Sequence, residues 1–174
     1  MVSAFRAREP RTAARSAALI LSASALVMAL LPLVKIAQGD DGQWVVHDST
    51  ALGLAAAAVV CLRTPPRLLD RYLVGALLSL GAVVLICALN LVTHDTTAGS
   101  QAFYALPVLW AASHLRAPAV VLVTTAALAA DCLTLFLLLP AGAAASDLVI
   151  FGAVLVLMAT MLLRSVRVQE VLHG

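Results

Sequence analysis

Charged side chains are scarce in this chain of 174 residues: Asp, Glu, Lys and Arg together make up 11% of it. Soluble globular proteins carry about 25%. Hydrophobic residues reach 63%, against about 45–50% in soluble domains. A water-soluble fold of this composition would leave much of its apolar surface uncovered. The composition therefore excludes a soluble globular protein and predicts an all-α protein whose helices cross a lipid bilayer.

Cysteine is also rare, and its placement excludes two classes of site. Cys61, Cys87 and Cys132 all fall inside apolar stretches, and none forms a CxxC pair or stands beside histidine. This pattern is typical of small hydrophobic residues in helix packing. We expect no disulfide framework, no metal site and no other cofactor.

Catalytic and nucleic-acid-binding signatures are missing as well. The sequence has no Gly-rich phosphate loop, no GxSxG elbow and no HExxH motif. The net charge is only +2, and its arginines follow membrane topology instead of forming a basic stripe. We therefore expect neither an enzyme nor a nucleic-acid-binding protein.

What the sequence has instead is six apolar stretches. Their lengths suit transmembrane helices, which need roughly 20 residues, and together they leave only short loops. The predicted spans are Ser16–Val34, Val45–Leu62, Tyr72–Val92, Gln101–Leu115, Pro118–Leu139 and Leu148–Leu163. Pro107 is expected to kink the fourth span, and residues 141–147 are expected to form an outer loop.

The basic residues alternate between the gaps that separate these stretches. Gaps assigned to one side hold ten of the eleven: Arg6, Arg8, Arg11, Arg15, Arg63, Arg67, Arg71, Arg116, Arg164 and Arg167. The other side holds Lys35 alone. Because basic loops stay in the cytoplasm, the pattern predicts six transmembrane helices with both termini cytoplasmic. It divides the chain into a basic N-terminus (1–15), a membrane domain (16–163) and a cytoplasmic tail (164–174).

Asp131 is the one acidic residue deep inside a predicted span, since Asp48 lies only three residues from the outer end of the second span. It lies about 20 Å along the fifth helix from its cytoplasmic end, at 1.5 Å per residue. A carboxylate at this depth costs several kcal/mol unless it is paired, hydrated or protonated. Two interpretations stand: a ligand contact or proton-linked switch, and a hydrogen-bonded Asp that locks helices together.

Four polar residues near the predicted outer face are candidate partners for Asp131. Asn90 and His94 share a face if the third helix persists to His94, because they are four residues apart. Gln101 and Tyr104 open the fourth span on one face. With Asp131 these residues would line a pocket for a small-molecule ligand; alternatively, they are interface anchors and helix-end residues.

The segment from Thr93 reads THDTTAGSQAFYALPVLWAASHLRAP. It resembles the helix junction in the six-helix membrane regions of actinobacterial diguanylate cyclases of the GGDEF family. There a short acidic outer loop precedes a Gln, aromatic residues, a Pro-Val-Leu core and a basic turn. The matching positions are Asp95, Gln101, Phe103, Tyr104, Pro107, Val108 and Leu109. Membrane-bound class III adenylyl cyclases have a similar plan.

This resemblance implies a sensory or anchoring module of the bacterial plasma membrane. The GGDEF signature does not occur in the sequence, so no cyclase activity is carried over. The resemblance implies a homodimer whose last helix leads into a linker toward a cytoplasmic effector domain. In the tail, Val168, Val171 and Leu172 fall at i, i+3 and i+4, a short apolar stripe.

Two other function classes stay open at this stage. Small six-helix chains also resemble the vitamin-binding subunits of energy-coupling-factor transporters, which dock a partner through small residues at i and i+4. Ala14 and Ala18 have that spacing. The third class is a structural subunit of a larger membrane complex.

Overall fold

The structure, a computed structural model, describes residues 10–37, 44–65 and 74–173. Within these ranges the chain forms seven α-helices and no strand, which confirms the all-α prediction. The helices are α1 (Pro10–Ala37), α2 (Trp44–Arg63), α3 (Val74–Thr93), α4 (Ala98–Ala102), α5 (Ala105–His114), α6 (Ala117–Leu138) and α7 (Ala141–His173).

Four of these helices are long and apolar enough to cross a membrane. The qualifying segments are Arg11–Leu33, Gly75–Thr93, Ala117–Leu138 and Ala141–Ser165. The helix α2 is not among them, and α5 has 10 residues, which rise about 15 Å, half the thickness of a hydrocarbon core. The fold is thus all-helical with four candidate spans, and the count of six stays a prediction.

Large apolar side chains cover the outside of the long helices. On α7, Val149 is 70% exposed and Ile150 is 66% exposed, and Leu157 and Met161 continue the same apolar surface. A soluble monomer rarely exposes contiguous apolar area of this extent. These faces are suited to contact with lipid tails.

The helices α1 and α2 form one compact unit. They pack along each other, and their buried positions are mostly small: Ala13, Ala17, Ala18, Leu21, Ala25, Ala51, Ala58 and Cys61. Small side chains let two helix backbones approach closely. The alanine-rich composition of both helices therefore explains their pairing.

The helices α3 to α7 form a second compact unit, in which α6 is central. The helix α6 packs against α3, α5 and α7, and α5 also contacts both α3 and α7. Arg116 is the N-cap of α6, and Pro118 lies in its first turn, where a missing N–H costs nothing. The predicted fifth span is thus observed within one residue at each end.

The fourth predicted span is broken, but at a different place from the kink predicted at Pro107. The break between α4 and α5 falls at Phe103 and Tyr104. Proline at 107 cannot donate to the carbonyl four residues earlier, which is that of Phe103. That carbonyl instead accepts from the Leu106 N–H at 3.1 Å. Pro107 therefore sits inside the first turn of α5, and the chain bends one turn before it.

The helix α7 begins earlier than the sequence pattern suggested. Residues 141–147, predicted as an outer loop, are helical, and the Ala144 N–H donates to the Pro140 carbonyl at 3.0 Å. The helix then runs unbroken to His173. The basic segment 1–9, the acidic loop at Asp40 and Asp41 and the turn at Arg67 and Arg71 lie outside the described residues.

Gly75 marks a close approach between α3 and the end of α5. A Cβ added there would lie 3.1 Å from Trp110 Cη2 and 3.2 Å from Leu115 Cδ2. Trp110 is buried and stacks on His114 with ring centroids 5.2 Å apart, so it has little room to move. We expect Gly75→Ala to be destabilising because overpacking costs about 1–3 kcal/mol.

The matched control is Gly81→Ala on the same helix, where an added Cβ meets nothing within 4 Å. Alanine should stabilise α3 there by up to about 1 kcal/mol through helix propensity. Unfolding of both variants in detergent, followed by circular dichroism, measures the difference. Equal midpoints for the two variants would contradict this packing.

Candidate functional site

The interior face of α6 carries three buried polar residues of the second unit: Thr124, Asp131 and Thr134. Its buried residues recur at intervals of three and four, as expected for one face of a helix: Ala119, Val120, Val123, Thr124, Ala127, Asp131, Thr134 and Leu135. Because α6 is packed against α3, α5 and α7, its polar side chains point into the bundle. The candidate site is built around them.

Asp131 is the polar group whose burial costs the most free energy. Its side chain is 1% exposed, and neither carboxylate oxygen has a hydrogen-bond partner among the residues that the structure describes. Asp131 lies 14 residues after the start of α6 at Ala117, which is about 21 Å along the helix. A buried acceptor left unsatisfied costs about 1–3 kcal/mol, and a charged one more. The burial of Asp131 therefore lowers the stability of the fold.

No basic side chain offsets Asp131 in the part of this unit whose side chains the structure describes. Arg116 is the N-cap of α6 and lies about 22 Å from Asp131 along the helix axis. Arg164 is exposed near the far end of α7.

One turn beyond Asp131, three elements meet at the Thr134 hydroxyl. Thr134 donates to the Ala130 carbonyl at 2.9 Å. The Tyr104 hydroxyl lies 3.5 Å from Thr134 Oγ1, and Cys87 Sγ lies 3.6 Å from the same atom. Since Thr134 already donates its hydroxyl proton to Ala130, the Tyr104 hydroxyl donates to Thr134 Oγ1. This cluster joins α3, the α4–α5 break and α6.

The break before α5 is what places Tyr104 in this cluster. Tyr104 is fully buried, and its backbone N–H donates to the Gln101 carbonyl at 3.0 Å. Its hydroxyl lies against Thr134, which is three residues from Asp131 on the buried face of α6. Of the predicted partners, Tyr104 is therefore the one that the structure brings close to Asp131.

Asn90 on α3 and Gln101 on α4 are both buried. Asn90 shares the inner face of α3 with Cys87, one turn away, and is 6% exposed. Gln101 is also 6% exposed, and its Nε2 donates to the Thr96 carbonyl at 3.3 Å. Gln101 thus secures the loop between α3 and α4.

His94 takes a different position from the one its spacing suggested. The helix α3 ends at Thr93, and His94 adopts a left-handed backbone conformation with φ 52°. Its side chain is exposed. Because the helix does not persist to His94, Asn90 and His94 do not share a helical face.

A second carboxylate, Asp147, lies on α7 near the depth of Asp131. The helices α6 and α7 are antiparallel across a short turn, and Gly152 packs against Leu128. Five residues from this contact toward the turn, the chain has advanced about 7.5 Å along each helix. This position is occupied by Asp147 on α7 and by Leu133 on α6. Asp147 is half-buried, and Leu133 is two residues from Asp131, about 3 Å along α6.

The sequence reading missed Thr134, Cys87 and Asp147. Thr134 was detectable, because it follows Asp131 at i+3 on the same helix face. Cys87 and Asp147 belong to other helices, and their depth relative to Asp131 depends on packing. Among the described residues, no group of three His, Cys, Asp or Glu side chains is placed to hold a metal ion.

Comparison of the chain with protein-family models, with curated proteins and with solved structures finds no match.

Proposed function

We propose that this chain is a membrane-embedded sensory or anchoring module that couples an outside or membrane signal to a cytoplasmic effector. In this proposal it is a multi-pass protein of the bacterial plasma membrane with six spans. The four long apolar helices supply four spans. The helix α2 and the bent α4–α5 pair supply the other two, and the arginine pattern places both termini in the cytoplasm.

The observation that carries the proposal is the continuity of α7. Its apolar segment ends at Ser165, yet the helix continues through His173. These eight further residues add about 12 Å of helix beyond the apolar part. The same helix packs against α5 and α6 beside the buried polar groups. A rotation or shift of α7 in the bundle would therefore be carried into the tail.

The proposed partners follow from this geometry. A second copy of the chain would place two tails side by side, and an effector domain after Gly174 would respond to their spacing and rotation. The likeness of segment 93–118 to diguanylate cyclase membrane regions supports a cyclase of that kind as the effector. No catalytic role is proposed for the chain itself.

The test is a phase scan with a reporter cyclase domain fused after Gly174. Zero to four alanines are inserted after Ser165, each rotating the tail by about 100°. We expect cyclase activity to oscillate with insertion number and to recover near four residues, about one turn. A matched fusion with a flexible Gly/Ser linker after Gly174 should abolish the oscillation.

Two outcomes would overturn the sensory proposal. Activity that falls smoothly or stays constant across the insertions would leave plain anchoring. Retention of a small molecule through purification, or co-purification with an ATPase pair, would favour a substrate-binding transporter subunit. The buried polar groups around Asp131 are the observation that supports that second candidate.

A further inference from the structure

The buried carboxylate of Asp131 lacks a hydrogen-bonding or basic partner among the described residues. It is 1% exposed and has neither a hydrogen-bond partner nor a basic neighbour among them. A low-dielectric interior penalises an isolated charge heavily. The group therefore needs a proton or another positive partner that the described residues do not supply.

The groups that face Asp131 from each packed helix are not cations. Cys87 on α3 and Tyr104 at the α4–α5 break are neutral hydrogen-bonding groups near Thr134. On α7, which packs against α6, the titratable group near this depth is a second acid, the half-buried Asp147. Two acids and no base make the site attractive to a cation. Because Asp131 is enclosed, the cation that needs no opening of the bundle is a proton.

We propose that Asp131 is a proton-binding site and that Asp131 and Asp147 together form a charge-sensitive contact between α6 and α7. With a proton bound, Asp131 is neutral and the two helices stay closely packed. When the proton leaves, two like charges face each other across the contact and repel. Asp147 is half-buried and offers the route by which protons reach Asp131.

This inference rests on the proposed function in one respect, since it names the signal that α7 would carry. Helix shifts that accompany switching are typically about 1–2 Å. Raising the pH should therefore move α7 away from α6 by about that distance, and α7 is the helix that continues into the tail.

Two measurements on the full chain in lipid nanodiscs test the site. Infrared difference spectroscopy detects the protonated carboxyl by its C=O stretch, which moves on exchange into heavy water. We expect a band that disappears as pH rises and is lost in Asp131→Asn. The matched control is Asp48→Asn, which changes an exposed acid near the start of α2 and should keep the band.

Electron–electron double resonance then measures the movement. Spin labels carried by unnatural amino acids at the exposed positions Leu77 and Met161 leave the native cysteines in place. The distance between them should change by about 1–2 Å with pH. Asp147→Asn should remove this change while keeping the Asp131 band, which separates repulsion from misfolding.

Several results would decide against the proton site. A carboxyl band that does not titrate, or that survives Asp131→Asn, overturns it. So does a spectral or distance response that requires sodium or potassium at constant pH, tested against N-methylglucamine, because an alkali cation is then the occupant. If the band and distance titrate but the fused cyclase ignores pH, the proton site stands and the signalling function fails.

Discussion

Replacing Tyr104 with alanine is expected to lower the free energy of unfolding by about 3–5 kcal/mol, the usual cost of truncating a buried aromatic residue. Tyr104 is fully buried, and it contacts Thr134 of α6 from the turn between α4 and α5. Its ring therefore fills the space where α3, α5 and α6 converge. Alanine would leave a cavity there that closely packed helices cannot close.

The matched variant Tyr104→Phe keeps the ring and removes only the hydroxyl. The bond it removes is long, at 3.5 Å, and hydrogen bonds between membrane helices average about 0.6 kcal/mol. Unfolding of both variants in detergent, followed by tryptophan fluorescence, compares the two losses. If phenylalanine costs as much as alanine, the hydrogen bond to Thr134 and not the packing of the ring sustains this junction.

How far the sequence determines this fold depends on the element. The ends of α6 were predictable because Pro118 favours a helix start and Pro140 ends one, and they are observed within one residue. The start of α7 was not, because Ala141 to Asp147 are small or polar residues that suit a loop by composition. Alanine is also the best helix former, and here that propensity prevails.

The candidate site was likewise predictable from the sequence only in part. A single acid within an apolar run identified Asp131, since hydropathy is a property of the local sequence. Its surroundings were not predictable from spacing alone. Whether Asn90 and His94 share a face depended on where α3 ends, and the left-handed conformation of His94 ends that face. The contact of Cys87 with Thr134 depends on the packing of two helices that are 47 residues apart in the chain at this point.

The substitution Ser165→Pro is expected to have the second large effect, because it interrupts the helix through which α7 would transmit motion. Ser165 is exposed and lies inside α7, at the end of its apolar segment. Proline in a helix interior removes one backbone hydrogen bond and clashes with the carbonyl four residues earlier, at a cost of about 3 kcal/mol or more. That carbonyl belongs to Met161. The helix should therefore kink or break between these residues.

The proline should change the structure of the tail and leave the packing of the helix bundle intact. Among the described side chains of α7, the buried ones, Ala144, Leu155 and Ala159, precede Met161, so membrane insertion and the unfolding midpoint should change little. The cost of about 3 kcal/mol corresponds to roughly a 100-fold shift between transmitted and uncoupled tails. In the reporter fusion, Ser165→Pro should thus abolish the oscillation of activity with alanine insertions.

Ser165→Ala is the control, because it changes the same exposed side chain and keeps the helix. It should preserve the oscillation seen in the parent fusion. A proline variant that also preserved it would mean that the phase read by the reporter is set beyond Ser165 and not by the rotation of α7 in the bundle. The eight helical residues beyond Ser165 would then act as a tether, and a signal from the bundle would have to reach the effector by another path.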